Sequence, residues 1–452
     1  MSIRNRTTTQ ARRFVLATAL AAASLYGLQP AQAQFVNQQV GGVSIDARGV
    51  LSKIRVDELD QLKHHRQAAF MAVPGELKDA GLRKVSLREL EAAIEEHQKN
   101  GTPISDDIRY LAGLQRIQYV FVYPETRDIV IAGPAEGWKL NALGDVVGET
   151  TNRPVLLLDD LLVALRSIEG AQQTGISCSI DPTEDGLARS AALTRKLRNP
   201  GANIKPLLAE LEQAMGPQTI TVKGVPDTSH FARVLVAADY RMKRIAMGFE
   251  ESPVAGLPNY LQMIKTTGRA PKSMLPRWWL EPNYDAILAD ADGMAFEFRG
   301  AGVKALTQDE VATASGQKQA TGKSDPRAQK WAELMTAHYD ELSTKDPIFG
   351  QLRNCIDMAV LAALIHKENL AEKAGWSMAL LVSSELPVES YHAPRQVDSQ
   401  GSAVAKGGAW VLSVSGGVLI NPWQPLAEPQ QSLELGADRT KAATRGTGWW
   451  WN

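Results

Sequence analysis

Apolar and polar positions follow the 3.6-residue period of a helix in some stretches of the chain and the two-residue period of a strand in others. Residues 86–89 (Ser-Leu-Arg-Glu) form a capping box that opens a helical pattern, and Gly101 ends it. Two β-rich runs, 117–123 and 128–132, flank a turn and predict a hairpin. We therefore expect residues 34–150 to form a small α+β domain.

The period changes repeatedly from strand to helix between residues 151 and 312. Strands are predicted at 176–180 and 219–225, with helical patterns between them. Ser229 or Thr228 is placed to cap a long helix with one apolar face. This alternation predicts a central α/β domain in which helices cover a sheet.

The last third of the chain has weaker patterns. Residues 313–327 lack an apolar period and are rich in Gly, Ser, Thr and Lys, which predicts a linker. Residues 328–425 combine helical patterns with predicted strands at 378–382 and 409–414, and residues 426–452 read as a flexible polar tail. Overall we expect a multidomain α/β or α+β protein with mixed sheets covered by helices.

The first 33 residues have the pattern of a secretory signal peptide. Four arginines precede an apolar run at 14–28, and small residues then favour cleavage after Ala33. The run is too short to span a bilayer, and the apolar stretch 356–365 predicts a core helix. We expect a periplasmic or secreted protein without a transmembrane segment.

Composition argues against a nucleic-acid partner. The 452 residues include 49 Lys plus Arg and 50 Asp plus Glu, for a formal charge of -1. Cleavage after residue 33 removes four arginines and no acid, so the charge falls to -5. A chain without a basic surplus does not attract phosphate backbones. We also expect no cofactor.

Several segments together resemble an uncharacterised family of exported bacterial proteins, a domain of unknown function. They are VYPETRDIVIAGPAEGWK from Val122, RPVLLLDDLLVALR from Arg153, GISCSIDPTEDGL from Gly175, AADYRMKRIAMG from Ala237, LPRWWLEPNYD from Leu275 and PIFGQLRNC from Pro347. The resemblance implies export and a shared architecture from about residue 120 to residue 423. It implies no activity, substrate or catalytic residue.

The two cysteines allow three interpretations. Cys178 and Cys355 could form a disulfide in an oxidising compartment, or remain two buried thiols. The third hypothesis makes Cys178 a nucleophile with His230 as its base, oriented by Asp181 or Asp239, since thiol chemistry needs a base within hydrogen-bond reach.

Metal binding has little support in the sequence. No H-E-x-x-H or paired C-x-x-C motif occurs. Residues 290–293 (Asp-Ala-Asp-Gly) are better explained as a hairpin turn than as a calcium loop, because Leu288 and Arg299 hold ligand positions. The acidic pair Asp159 and Asp160 is interpreted as a helix cap or solvated surface. We predict no metal site.

Two basic or aromatic segments are candidate ligand sites. Arg241 and Arg244 lie on one turn of the helix after Ser229, where Asp239 can pair with Lys243. This turn could bind an anionic glycan or a peptide, although solvated surface is the plainer interpretation.

The second segment is aromatic. Arg277, Trp278 and Trp279 could stack a sugar in a groove, or pack in the core. The terminal Trp449, Trp450 and Trp451 would expose a large apolar surface, so we expect them to dock on the protein body, a partner or a membrane.

These patterns favour an exported, soluble, non-catalytic binding or structural protein of the cell envelope, with a glycan, a peptide or another envelope component as its partner. The alternative is a thiol-dependent hydrolase using Cys178 and His230.

Overall fold

The computed structural model of the chain describes residues 43–53, 73–79, 81–196, 205–266, 275–312, 317–401, 415–443 and 450–452. The predicted signal peptide, the first residues of the predicted linker, the predicted strand 409–414 and Trp449 lie outside the described residues.

Thirteen α-helices occur in the described part of the chain, and the two that start at Leu87 and His230 begin at their predicted capping residues. They are α1 (Leu87–Asn100), α2 (Asp106–Arg109), α3 (Leu158–Thr174), α4 (Glu184–Lys196), α5 (Lys205–Met215), α6 (His230–Ala246), α7 (Tyr260–Thr266), α8 (Pro326–Ala337), α9 (Tyr339–Lys345), α10 (Pro347–Lys367), α11 (Leu370–Ala374), α12 (Ala379–Val382) and α13 (Leu435–Ala442). The side chain of Ser86 accepts a hydrogen bond from the backbone N–H of Glu89, and Gly101 ends α1 in the left-handed conformation. The predicted capping box and C-terminal glycine are thus confirmed.

The strands form one large and one smaller mixed sheet. They are β1 (Val43–Ile45), β2 (Val50–Lys53), β3 (Gly81–Ser86), β4 (Tyr119–Tyr123), β5 (Asp128–Ala135), β6 (Trp138–Leu140), β7 (Val146–Gly148), β8 (Ile176–Asp181), β9 (Gln218–Lys223), β10 (Leu275–Asn283), β11 (Leu288–Ala289), β12 (Ala295–Glu297), β13 (Gly302–Ala312), β14 (Lys318–Ala320), β15 (Gln396–Val397), β16 (Ser415–Ile420) and β17 (Gln430–Gln431). The larger sheet has the order β1-β2-β15-β9-β8-β16-β10-β13-β14, and the smaller has the order β17-β11-β12-β4-β5-β3. Short β6 and β7 pair with each other.

Both sheets mix parallel and antiparallel pairs. In the larger sheet β10 runs parallel to β16 and β15 runs parallel to β2, whereas β8 is antiparallel to both of its neighbours. In the smaller sheet β4 and β5 form the predicted antiparallel hairpin. The fold is therefore α+β with mixed sheets and covering helices, as the sequence predicts.

The predicted domain boundaries do not separate the two sheets. Strands β1 and β2 come from the predicted N-terminal domain and β16 from the predicted C-terminal region, yet all belong to the same sheet as β8 and β9. The smaller sheet combines strands from the predicted N-terminal domain, the predicted central domain and, through β17, the predicted tail. The described residues from Val43 to the end of the chain accordingly belong to one compact unit. Local composition could not reveal this, because strand pairing connects residues that are far apart in the sequence.

Three predicted local structures differ from the observed ones. Residues 318–320 of the predicted linker form β14, which pairs with β13. The predicted strand at 378–382 is the helical turn α12, whose first N–H groups bond to the buried carboxylate of Glu91. A short apolar run does not by itself distinguish strand from helix.

The third difference concerns the predicted flexible tail. Residues 435–442 form α13, and the hydroxyl of Tyr123 donates a 2.8 Å hydrogen bond to the carbonyl of Arg439 in this helix. At the end of the chain, Trp450 is buried and Trp451 forms a β-bridge with Val85. The backbone N–H of Ser86 bonds to the carbonyl of Trp450 at 2.7 Å. The two tryptophans thus dock on the chain's own β3 edge.

Helix α10 forms the centre of the core. It is the one helix in the described part of the chain that is long and apolar enough to span a bilayer, and 94% of that stretch is buried inside the protein. It packs against α3, α6, α9 and β13. This burial agrees with the core helix predicted from residues 356–365.

Candidate functional site

Helix α6 carries most of the candidate functional residues. The side chain of Ser229 accepts a hydrogen bond from the N–H of Ala232 at 3.1 Å, which fixes the start of the helix at His230 as predicted. One face of α6 packs on β8, β9, β10 and β16. Ionisable side chains are nevertheless buried along this helix: His230, Arg233, Asp239 and Lys243. Charged groups are seldom buried without partners that offset the loss of water.

Asp239 and Lys243 form the predicted ion pair, but inside the protein. Lys243 Nζ lies 2.8 Å from Asp239 Oδ2 and 3.0 Å from the carbonyl oxygen of Ile180 on β8. Asp239 Oδ1 has no hydrogen-bond partner among the described residues. Burial raises the pKa of Asp239 to about 6, against the opposing effect of Lys243. The pair therefore links α6 to β8 through the bond from Lys243 to the carbonyl of Ile180. Burying its two charges costs free energy.

The backbone of β16 leaves room for this lysine. A Cβ atom at Gly416 would lie 1.9 Å from the carbonyl oxygen of Trp278 and 3.0 Å from Lys243 Cε. A Cβ atom at Gly417 would lie 2.1 Å from the carbonyl oxygen of Cys178. Only glycine fits at these two positions, where β16 lies between β8 and β10.

A surface cleft opens beside the C-terminal half of α6. Four apolar residues line it, namely Ile180, Met247, Phe249 and Val397, together with six polar ones, Gln218, Tyr240, Lys243, Arg244, Asp398 and Gln400. We call this feature the α6 cleft. Of the residues predicted to bind a ligand, Arg244 lies in it. Tyr240 and Phe249 line the cleft and are partly exposed.

The cationic groups near the cleft are already partly neutralised. Arg244 Nε donates to Glu250 at 2.7 Å, and Arg244 Nη1 donates to Gln400 at 2.6 Å. The guanidinium of Arg244 also lies over the rings of Tyr240 and Phe249, 5.3 and 5.7 Å from their centroids. Arg241, also predicted to bind a ligand, pairs with Glu250 and with Asp346. Arg241 therefore holds the helix in place and does not line the cleft.

The predicted aromatic site is not assembled as expected. Trp278 has no exposed surface, and its ring packs edge to face against Tyr260 and Trp331 at 5.1 and 5.2 Å. It is a core residue, because its position on β10 faces the interior. Trp279 points to the other side of the strand and is half-buried, with the guanidinium of Arg277 5.3 Å from its ring centroid. Arg277 thus lies over one face of the Trp279 ring.

The predicted nucleophile and base do not meet. The residue of α6 whose charge acts on Cys178 is Asp239. Asp239 comes nine residues after His230, so the two lie roughly 13 Å apart along the helix axis. Burial raises the pKa of the Cys178 thiol, and the charge of Asp239 raises it further. A fully enclosed neutral thiol is a poor nucleophile. Neither Asp181 nor Asp239 orients the imidazole of His230.

The predicted disulfide is not formed either, and both cysteines are buried free thiols. Cys355 lies on α10 with its Sγ 3.9 Å from Asp160 Oδ2, whereas Cys178 lies on β8 against α6. Burial, followed by the charge of Asp160, raises the pKa of the Cys355 thiol. The two sulfur atoms therefore serve as small packing groups in separate parts of the core.

The partner of His230 is Asp160. His230 Nδ1 lies 2.8 Å from Asp160 Oδ2, and both side chains are buried. Burial opposes the charged imidazole, but the carboxylates of Asp160 and then Asp159 raise the pKa of His230 above its usual value. The sequence gives Asp160 only as half of an acidic pair at the start of a helix, so its role was missed. Its apolar surroundings in residues 154–165 are the one signal that could have suggested burial.

Within the ranges that the structure describes, no group of three or more His, Cys, Asp and Glu side chains is arranged to hold a metal ion. Residues 290–293 form the predicted hairpin turn, because Asp290 Oδ1 accepts hydrogen bonds from the backbone N–H groups of Met294 and Ala295. That carboxylate closes the turn between β11 and β12.

The chain is thus an α+β protein with a surface cleft beside the central helix α6. Residues 178–260, which include the last four residues of β8 and all of β9 and α6, match the model of a family described as a protein of unknown function (DUF1598). This match confirms the resemblance to an uncharacterised domain family. No curated protein and no solved structure matches the chain.

Proposed function

We propose that this protein is an exported, non-catalytic binding protein of the bacterial cell envelope, and that it holds a glycan fragment in the α6 cleft. Export rests on the basic, apolar and small-residue segments of the first 33 residues. The binding role rests on the cleft, which lies within the segment that matches the family model apart from Val397, Asp398 and Gln400.

The observation that carries the glycan assignment is the mixture of side chains in the cleft. Partly exposed rings of Tyr240 and Phe249 supply apolar faces, and sugar rings also have apolar faces. Gln218 and Gln400 supply amide donors and acceptors beside them. A few polar groups around an apolar surface are typical of a site that orients a small ligand.

The charges favour a neutral or weakly charged ligand. Lys243 is paired with Asp239 and Arg244 with Glu250, and Asp398 adds a carboxylate to the rim. The cleft therefore offers many hydrogen bonds with little net charge, which suits hydroxyl groups better than phosphates.

The alternative, a thiol-dependent hydrolase, draws no support from the described residues, because Cys178 and His230 have different partners and Cys178 is enclosed. A thiol titration tests it. If both cysteines react with a thiol reagent only after denaturation, they are the buried thiols expected here. Rapid reaction of one thiol in the native protein would restore the hydrolase proposal.

A binding screen tests the proposed function. We would present the protein without its first 33 residues with envelope glycans, peptides and metabolites, and measure affinity by calorimetry. The expected result is saturable glycan binding that Gln400→Ala and Tyr240→Ala each weaken about tenfold. Arg299→Ala, at an exposed position outside the cleft, serves as the control. Binding of a peptide instead, or equal glycan binding by all variants, would reject the glycan assignment.

A further inference from the structure

Arg233 is a buried cation without a hydrogen-bonded or ion-paired partner among the residues that the structure describes. It lies three residues after His230 on α6 and is 2% exposed. Among the residues that the structure describes, none forms an ion pair or a hydrogen bond with its guanidinium, and its Nε is completely enclosed without a partner. Burial lowers the pKa of Arg233. A buried guanidinium normally has a carboxylate or several carbonyls around it, so this arrangement is unusual.

Tyr391 joins Arg233 to His230. The guanidinium carbon of Arg233 lies 4.9 Å from the centroid of the Tyr391 ring, and the imidazole of His230 lies 6.0 Å from the same ring. The backbone N–H of Tyr391 bonds to the carbonyl of Thr228 at 2.8 Å, which holds this loop against the start of α6. His230 and Arg233 are one turn apart and lie on the same face of the helix.

Of the two ring nitrogens of His230, Nδ1 has a hydrogen-bond partner and Nε2 has none among the described residues. Asp160 accepts from His230 Nδ1, which fixes the ring orientation. No described residue bonds to His230 Nε2. The site also lies at the positive ends of two helix dipoles, since α3 begins at Leu158 and α6 at His230.

Three carboxylates surround this place, and each has a partner. Asp160 is held by His230, and Asp159 accepts from the backbone N–H of Glu389 at 3.1 Å. Glu389 in turn accepts from the hydroxyl of Tyr391 at 3.1 Å. None of these three acids forms an ion pair with the guanidinium of Arg233, although the charge of Glu389 favours its protonated form. Their negative charge disfavours a polyanion at this place.

We propose that Arg233 and His230 form a second binding site, distinct from the α6 cleft, for the carboxylate of a small acidic molecule. The planar fork of the guanidinium matches the two oxygens of a carboxylate. The imidazolium donates its Nε2–H to the same group. Arg244 of the α6 cleft lies 11 residues further along the helix, about 16 Å away, so the two sites can be tested separately.

The pH dependence has a definite sign. With Nδ1–H donated to Asp160, a neutral imidazole presents only a lone pair at Nε2, which repels a carboxylate. Asp160, Asp159 and the more distant Asp145 favour the protonated ring, against the effect of burial. Affinity for a carboxylate therefore decreases as the pH rises through the pKa of His230. The pKa of Tyr391 is raised by burial and by Glu389, so its hydroxyl stays neutral in this range.

The test uses three probes of one charge: acetate, N-acetylalanine as a model of a peptide carboxylate, and glucuronate as an acidic sugar. Binding to the full protein without residues 1–33 is followed by the NMR shift of the His230 ring protons and by calorimetry. We expect saturable binding of at least one probe, weakened about tenfold or more in Arg233→Gln. Arg299→Ala is expected to bind as the wild type does. Which probe binds best distinguishes a peptide from a sugar acid.

A second variant, His230→Gln, tests whether His230 causes the pH dependence of binding. We expect it to retain weak binding through Arg233 that no longer changes with pH. If Arg233→Gln does not fold, the wild-type titration alone decides, because the proposal requires the ring-proton shift to saturate and to weaken with rising pH. No saturable binding of any probe overturns the proposal, and so does equal affinity in folded Arg233→Gln. Either result leaves the glycan proposal for the α6 cleft untouched.

Discussion

His230 Nδ1 lies 2.8 Å from Asp160 Oδ2, and this contact joins the first turns of α6 and α3, which are 70 residues apart in the chain. The thiol of Cys355 on α10 approaches the same carboxylate oxygen at 3.9 Å. One buried carboxylate therefore connects three core helices. Because the carboxylate raises the pKa of its histidine partner above the usual value, against the effect of burial, the connection depends on pH.

We predict that Asp160→Asn lowers stability most at acidic pH. The pKa of His230 is raised from its usual 6.5, so the ion pair contributes fully below pH 6.5 and its contribution is lost as the pH rises through the folded-state pKa. The variant keeps a neutral hydrogen bond but loses the charge. We expect a loss of about 2 kcal/mol of unfolding free energy near pH 5.5, shrinking towards pH 8.5.

Urea unfolding at these two pH values measures the effect, with the exposed Asp292→Asn as the control. A loss of the same size at both pH values would show that packing around Asp160, and not the charge of His230, sets its contribution.

Local signals in the sequence located many of the helix and strand boundaries. Ser86 and Ser229 begin α1 and α6 where capping predicts, since a cap depends only on neighbouring backbone groups. The α+β class follows from the alternation of periods. The sharing of one sheet by all predicted segments could not be inferred, because the register of Val50 with Gln396 leaves no local pattern.

The candidate sites also combine contacts that local sequence predicts with contacts that only the tertiary fold creates. The pairing of Asp239 with Lys243 depends on one helical turn and is confirmed. Asp160 and Tyr391 approach His230 only through the tertiary fold, and Arg233 carries no local signal of burial. Trp278 was proposed as a ligand contact because sequence alone does not reveal which face of a strand is covered.

We predict that Gly416→Ala strongly destabilises the protein. The added methyl carbon would lie 1.9 Å from the carbonyl oxygen of Trp278, a backbone atom of the neighbouring strand that cannot move alone. We expect a loss of about 3 kcal/mol or more of unfolding free energy. Gly436→Ala on α13 is the matched control, because nothing lies within 4 Å of its added carbon. Equal stability of the two variants in thermal and urea unfolding would contradict the close packing of β16 against β10.

We predict that the end of the chain protects the β3 edge. Lys84 and Asn452 exchange two backbone hydrogen bonds of 2.9 Å, and Ser86 N–H bonds to Trp450. Deleting residues 450–452 should therefore speed hydrogen exchange at the amides of Lys84 and Ser86 about tenfold or more. Amides in the β4–β5 hairpin serve as internal controls. We expect the sedimentation coefficient to stay that of the wild type. If the deletion changes sedimentation and leaves the amides unaffected, the tryptophans contact another molecule and not β3.

The buried Asp239–Lys243 pair yields the sharpest energetic prediction. Lys243→Met removes the cation and leaves the fully enclosed carboxylate of Asp239 with an oxygen that already lacks a partner. We expect this change to lower the free energy of unfolding by about 3–5 kcal/mol at pH 8. At this pH the buried carboxyl group must either carry a charge without a partner or take up a proton well above its usual pKa. The loss should shrink towards pH 5, because the pKa of Asp239 is already about 6 in the wild type and rises further without Lys243.

Adding Asp239→Leu to Lys243→Met replaces both charges with apolar groups and should recover most of the loss, since the penalty comes from one uncompensated charge and not from lost packing. Urea unfolding of the two single variants and the double variant gives the coupling free energy between the two side chains. Additive losses would mean that the two side chains stabilise the protein independently, and that the contact between them does not pin α6 to β8.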